Sequence, residues 1–399
     1  MSRQSGCIYK SKNGERWLAR WRENVIENGE VKRKLRFKDL APICDRYRTE
    51  RDVRNSDLLD FLKPINAGTA KPEGTLSVAV YGTEHWLPWT EENCKPSTAN
   101  GYKRFWKTYL EPRLKDVAVR DFRTVDAATL LAELHRSTGC GKTMLKHAKS
   151  ILSGIFTLAR NTGVLNSPNP VQGTMIPKKA KPAEDTHAAT MDEVVAILDA
   201  VAKQKVKGED GEDIDIPREM RLKVQAAIAL QFFGGLRPGE ARGVDWLDYD
   251  GKRLWIRHSV WRTHVTGPKT EGSAKPVPVI EPLTGILADL READGNPANG
   301  PILRGPSGKP LNLDNLRKRL LGPILEAAKL QWHGWYSLRR GVATALASVS
   351  RDPQASKGLL RHSSLATTMQ HYIHDVPENT LSAMQRFEKL FNECSTVKQ

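Results

Sequence analysis

The sequence predicts a multidomain, mainly α fold with small β elements. Three observations carry that expectation. A chain of 399 residues has room for two or three domains at roughly 150 residues each. Two Asn-Gly pairs, Asn13-Gly14 and Asn28-Gly29, separate alternating segments near the start, the pattern of tight hairpins. From about residue 76 to 165 the apolar residues recur at helical spacing.

The opening elements follow from this pattern. Cys7 to Lys10, Arg16 to Arg22 and Val31 to Phe37 read as a three-stranded meander. Trp17, Ala19 and Trp21 share one face of its middle strand; Arg16, Leu18, Arg20 and Arg22 share the other. The segment from about 40 to 62 supplies a helix to cover the Trp face through Ile43, Tyr47, Leu58, Leu59, Phe61 and Leu62. Pro64 to Gly74 reads as a linker. The helical stretch that follows interleaves apolar positions with basic ones, among them Lys103, Lys107 and Lys146, and its aromatics read as core. Asn166 to Pro182, with four prolines and three lysines, reads as a second, extended linker. Thr190-Met191-Asp192-Glu193 has the spacing of a capping box opening a helix. Lys203 to Pro217 reads as an exposed acidic loop, and the remainder as helices with one strand pair.

Composition narrows the function. The net charge is +16, which points to a polyanionic partner, and nucleic acid is the commonest. A basic sheet with arginines on one face suits a DNA groove. The longest near-apolar run, Val224 to Leu236, is too short to cross a bilayer, and the first residues lack the apolar stretch of a signal peptide. Five scattered cysteines without a C-x-x-C pair argue against a disulfide framework and for a reducing cytoplasm. There is no P-loop, no dinucleotide fingerprint, no H-E-x-x-H and no carboxylate set at metal spacing. His362, His371 and His374 lack ligand partners other than Asp375, so no metal and no cofactor is expected.

Four pieces of the last 170 residues stand out. In Gly234-Gly235-Leu236-Arg237-Pro238-Gly239-Glu240 a helix ends in two glycines, and a new one begins after Arg237. Pro238 is pre-set for its first turn, and Glu240, one turn on, can orient the guanidinium. The segment Leu254 to His258 reads as a strand of a hairpin with Lys269 near its turn. In Trp335-Tyr336-Ser337-Leu338-Arg339-Arg340, Ser337 can cap the helix carrying Arg339. The last is Leu360-Arg361-His362-Ser363-Ser364, followed by His371-Tyr372-Ile373-His374.

Taken together, in this order, these pieces resemble the boxes of the tyrosine recombinases, the phage integrase family. The G-L-R-x-x-E box is matched by Gly235-Leu236-Arg237 and Glu240, and the hairpin lysine by Lys269. The H-x-L-R-R box is matched at Leu338-Arg339-Arg340, and the box ending in Y-x-H from Leu360 to His374. Three departures accompany the match. Tyr336 stands where the second box usually has His, and Arg361 where Gly is usual, a change tolerable in a helical residue. His362 and Tyr372 are ten positions apart, where nine is commoner.

The resemblance implies catalytic roles for Arg237, Lys269, Tyr336, Arg339, His362 and Tyr372, with Glu240 in support. Tyr372 would attack a DNA phosphodiester to give a 3′-phosphotyrosine. Arg237 and Arg339 suit the charge on the nonbridging oxygens, because guanidinium is permanently charged and forked. His362 would add a hydrogen bond, and Lys269 would protonate the departing 5′ oxygen. Protein cations replace a metal in this scheme. The domains implied are an arm-type DNA-binding domain over 1–62, contacting DNA through Arg16, Arg20 and Arg22, a core-binding bundle over 75–168 using Lys103, Lys107 and Lys146, and a catalytic domain over 186–399. An apolar stripe from Leu381 to Phe391 would dock on a neighbour in a homo-tetramer on two double-stranded DNA sites. A DNA-bending protein and a directionality factor are the implied accessory partners. The leading function is integration of a prophage or genomic island. A resolvase of the same chemistry and a non-catalytic DNA-binding regulator are the alternatives, and a topoisomerase is a weaker one.

Overall fold

The computed structural model describes residues 6–27, 29–203, 205–207, 213–267, 274–350 and 353–361. The chain divides into two compact units, Met1–Glu184 and Asp185–Gln399. Among the described residues, no helix is long and apolar enough to cross a membrane.

The first unit opens with the expected antiparallel meander: β1 (Cys7–Lys10), β2 (Arg16–Glu27) and β3 (Glu30–Pro42), in that order. The alternation in β2 sorts as its sequence dictates. Trp17, Ala19, Trp21 and Val25 are buried, while Arg16, Arg20 and Arg22 are exposed. The covering segment is not one helix. It is a series of single turns, including Glu50–Arg54, Asp57–Leu59 and Leu62–Asn66. Side-chain caps break it up. Thr49 and Asp52 close a capping box, and the Ser56 hydroxyl accepts from the Leu58 N–H, which starts a new turn where a continuous helix would need the old one to run on. The turns still cover the Trp face. Trp17 Nε1 donates to the Tyr47 carbonyl at 2.8 Å, and the Trp21 and Phe61 rings lie 4.5 Å apart. Pro64, read as the start of a linker, lies inside the short Leu62–Asn66 helix, at a first-turn position where its missing N–H costs nothing.

Glu23 breaks the apolar pattern of the buried face. It is 5% exposed, and both its oxygens take a guanidinium N–H of Arg120 at 2.6 Å, with Arg36 at 3.2 Å. Burial alone would raise this carboxyl; the Arg120 hydrogen bonds and charge, with Arg36, hold it below its usual range. Its stabilisation is therefore full above the ordinary carboxylate value and fades as pH falls through the lowered one. Glu23→Ala should cost about 2 kcal/mol at neutral pH in urea unfolding, less than for a fully buried pair because Arg120 keeps some water. The difference from wild type should shrink as pH falls below the ordinary carboxylate range.

The rest of the first unit is a helical bundle built on Thr124–Thr138 and Lys142–Asn161. Several of its aromatics are core: Trp86, Trp106 and Phe156 are buried, and Trp106 Nε1 donates to Thr83 Oγ1 at 3.0 Å, whereas Tyr102, Phe105 and Tyr109 are partly buried and Trp89 is exposed. The helical period leaves Lys103, Lys107 and Lys146 on the outside. The stretch 166–182 is not a free linker. Val171 and Ala180 are buried in the bundle core, and the Asn169 amide donates to the Ser153 carbonyl at 2.9 Å and to Thr157 Oγ1 at 3.1 Å. Without regular secondary structure, that stretch satisfies its polar groups through such side-chain contacts.

In the second unit Met191–Ala202 begins at the Thr190–Glu193 capping box, as its spacing predicts. Arg218–Phe232 is the central helix, buried from Leu222 to Phe232 apart from the partly buried Gln225. Met191–Ala202, Leu283–Ala293 and Trp335–Ser350 pack around it. Within 203–217, read as an exposed loop, Lys205–Lys207 pairs antiparallel with Asp213–Asp215, and residues 204 and 208–212 lie outside the described residues. The expected strand from Leu254 to His258 is divided. Arg253–Leu254 pairs with Val277–Pro278, and Ser259–Trp261 turns back on His264–Thr266 through Arg262, whose φ is 52°. The chain between them leaves the sheet: Ile256 is fully buried, and Arg257 reaches Asp248 at 2.7 Å. Lys269 lies outside the described residues.

Candidate active site: three arginines on one buried glutamate

The Arg218–Phe232 helix runs out at Phe233-Gly234-Gly235. Gly235 has φ +61°, a conformation that suits glycine. That reversal delivers Arg237 to the start of the short Pro238–Ala241 helix. Glu240, in the same turn, is 2% exposed. Its Oε2 accepts the Arg237 backbone N–H at 2.9 Å, and its Oε1 accepts Arg237 Nη1 at 2.7 Å. The local spacing thus fixes both main chain and guanidinium.

Arg339 comes from the second turn of the Trp335–Ser350 helix and is fully buried. Its guanidinium donates to the Gly235 carbonyl and, at 2.6 Å, to the Leu360 carbonyl at the end of the Pro353–Leu360 helix. It also lies 3.9 Å from Glu240 Oε2. One side chain thereby ties together segments that are 104 and 21 residues away in sequence. Ser337 does not cap this helix, which starts two residues earlier. Its hydroxyl donates back to the Gly334 carbonyl at 2.7 Å, inside the first turn. Tyr336 is half exposed and precedes Arg339 by three residues, so the two lie on neighbouring parts of one helix face.

Arg361 was not expected here. It is not helical: its φ is 55°, so it terminates the Pro353–Leu360 helix in the left-handed conformation. Its side chain is fully buried, and Nη2 donates to Glu240 Oε2 at 2.5 Å. The only sequence signal was a charged residue at a place where the resemblance leads one to expect glycine. Burial would raise the Glu240 carboxyl, but the charges of Arg361, Arg237 and Arg339 outweigh it and hold it below its usual range. Three guanidinium groups against one carboxylate leave a surplus of positive charge, suited to a phosphate. The structure brings Arg237, Glu240 and Arg339 together; His362 and Tyr372 lie outside the described residues.

The framework behind Arg339 is tight. Ala189 N–H donates to the Ser337 carbonyl at 3.0 Å, and Arg340 Nε to the His187 carbonyl at 2.7 Å. A Cβ on Gly341 would sit 2.0 Å from the Ala189 carbonyl oxygen. Gly341→Ala should therefore cost about 3 kcal/mol or more in equilibrium unfolding.

Nearby, His187, Glu193 and His333 offer three ligand-type atoms within 4.8 Å of one another. The two imidazoles stack face to face, with centroids 3.7 Å apart and planes 26° from parallel. An imidazole holds a metal in its own ring plane, and two near-parallel planes this close share no suitable point. Glu193 is already engaged by His187 Nε2 at 2.8 Å and the Thr190 N–H at 2.9 Å. The trio pins the chain entering the first helix of this unit.

Forked cations gathered around one carboxylate suit a phosphate-bearing partner. Residues 189–379 match the family described as the phage integrase family. That stretch is a tyrosine recombinase domain, the family of site-specific DNA cleaving and rejoining enzymes with a tyrosine nucleophile. It is 24% identical over 328 residues to a tyrosine recombinase XerC-like protein of Caldanaerobacter subterraneus subsp. tengcongensis, covering 74% of this chain and 79% of that one. It is 30% identical over 178 residues to the tyrosine recombinase XerC of Mycobacterium leprae, covering 44% and 56%. Among solved structures it resembles the Tn1549 transposon integrase in complex with a circular intermediate DNA (TM-score 0.57, 18% identity, 78% of this chain and 100% of that one). It also resembles a lambda integrase tetramer bound to a Holliday junction (TM-score 0.54, 19% identity, 92% and 95%). These structural likenesses concern the fold.

Proposed function

We propose that this chain is the integrase of a prophage or genomic island, acting in the bacterial cytoplasm. Arg237 and Arg339 hold the nonbridging oxygens of a DNA phosphodiester, with His362 as a further donor. Tyr372 attacks phosphorus to form a 3′-phosphotyrosine, and Lys269 protonates the departing 5′ oxygen. Tyr336 takes the place of the usual second-box histidine and can donate a hydrogen bond to a phosphate without carrying charge. The ester conserves the bond energy for rejoining, so no nucleotide is consumed. The observation that carries this reading is the Arg237–Glu240–Arg339 cluster, which joins separate sequence boxes into one positively charged group.

The exposed arginines of β2 support an additional DNA contact. Arg20 and Arg22 stand on the open face of the meander, whereas Arg16 is paired with Asp39 at 2.6 Å. Lys107 and Lys146 are exposed on the bundle, and Lys103 is paired with Glu91 at 2.9 Å. On this reading residues 1–62 bind arm-type sites, 75–168 bind core-type sites, and 186–399 perform catalysis. A homo-tetramer acts on two duplexes through a four-way junction, with a DNA-bending protein and a directionality factor as accessory partners. The lambda integrase tetramer on its junction supports this assembly by analogy. The XerC-type relatives favour a second reading, resolution of chromosome dimers.

Two measurements test the proposal. Nicked, end-labelled duplexes from the DNA flanking the gene are incubated with the protein and run on a denaturing gel. A covalent band supports strand cleavage; binding with no band on any flanking fragment favours a non-catalytic regulator. Footprinting then separates the two recombinase readings. Protection of two unlike classes of site, one of them lost in an Arg20→Ala/Arg22→Ala variant, supports an integrase. A single class supports a resolvase.

A further inference from the structure

Arg361 occupies a backbone conformation that favours glycine, at φ 55°. Holding a β-carbon there costs on the order of 1 kcal/mol. Its guanidinium is also taken wholly out of water, and its Nε has no hydrogen-bond partner among the described residues. Neither feature favours folding. Besides a long 3.4 Å bond from Nη1 to the nearby Leu359 carbonyl, what the side chain gains is a contact 121 positions back in the chain, on Oε2 of Glu240.

That contact changes what Glu240 can do to Arg237. A carboxylate and a guanidinium fit together as a two-pronged fork. Here Oε2 is filled by Arg361 at 2.5 Å and by the Arg237 backbone N–H at 2.9 Å, so the Arg237 side chain bonds only Oε1, through Nη1. Arg237 remains partly exposed, its side chain 25% accessible. We propose that Arg361 is a positioning residue for Arg237: by occupying Oε2 of Glu240 it limits Arg237 to a one-point contact and leaves the remaining guanidinium donors for a phosphate oxygen. Arg361 also adds a positive charge to a cluster whose usual second-box cation is replaced by Tyr336. The proposal rests on the reading of Arg237 as a phosphate ligand.

The test uses the full chain with Arg361→Gly, Arg361→Gln and Arg361→Lys. Glycine relieves the backbone and vacates Oε2. Glutamine removes the charge but keeps a side chain, so it serves if the glycine variant does not fold. Lysine restores a cation on Oε2. Each is titrated with inorganic phosphate at constant ionic strength, with the thermal midpoint as readout, and each is assayed for single-turnover cleavage of the nicked duplexes. The neutral variants should bind phosphate about 10-fold more weakly and cleave about 10-fold or more slowly, with lysine recovering most of both. A merely structural role would shift the phosphate-free midpoint without changing the affinity of the folded protein. A folded neutral variant with wild-type phosphate affinity overturns the proposal, as does a wild-type midpoint indifferent to phosphate. Absence of cleavage by wild type counts against the recombinase reading instead, and the phosphate titration still decides the role of Arg361.

Discussion

Tyr372→Phe is expected to remove the covalent protein–DNA intermediate while leaving DNA affinity within about twofold of wild type. The substitution deletes one hydroxyl oxygen and no charge, and affinity for DNA is dominated by phosphate contacts from Lys and Arg. On the proposed mechanism, cleavage needs that oxygen as the attacking atom. Tyrosine, with an unperturbed pKa near 10, is a poor nucleophile that gains force only in a site able to take its proton and hold the developing charge. Water in its place would not be retained as an ester, so the loss on a denaturing gel should be on the order of 10⁴-fold or more. A variant that still attached covalently at the same phosphate would move the nucleophile to another residue. His371 and His374 flank Tyr372 closely enough to be examined next.

Arg339→Ala is expected to damage both folding and chemistry, which separates it from Tyr372→Phe. Arg339 is fully buried and donates to the carbonyls of Gly235 and Leu360. Alanine leaves two buried acceptors without those donors and opens a cavity, so unfolding free energy should fall by about 3 kcal/mol. At a temperature where the variant stays folded, single-turnover cleavage should fall by about 10²–10³-fold, the usual loss when a preorganised donor to a developing anion is removed. Arg339→Lys keeps the charge but cannot span two carbonyls with a planar fork, and should recover stability only in part. Wild-type cleavage by a folded Arg339→Ala would remove this residue from the phosphate site. Urea unfolding and rapid-quench cleavage on the same preparations keep the two effects apart.

Features governed by neighbouring residues could be read from the sequence. The meander follows from two Asn-Gly turns and a period of two, and its Trp and Arg faces separate as the alternation requires. Thr190 and Glu193 close their capping box because both partners lie within one turn. Arg237 and Glu240 are paired for the same reason. The helix expected over 40–62 instead became separate turns, because Thr49 and Ser56 offered the backbone local hydrogen bonds that competed with a continuous helix. The 166–182 segment looked like linker from its prolines, yet Val171, Ala180 and the Asn169 amide found partners on the bundle.

The sequence alone determined the mainly helical class, the basic charge, the order of the boxes and the residue types able to meet a phosphate. Those properties depend on composition and on spacings of a few residues, and they survive any arrangement of the chain. Only the tertiary structure decided that Arg339 bonds the carbonyls of Gly235 and Leu360, and that Arg361 adopts a left-handed conformation to reach Glu240. A buried carboxylate must be paired wherever the fold places it, and here the added partner comes from 121 residues away. No local pattern encodes that distance; burial of the surrounding core does.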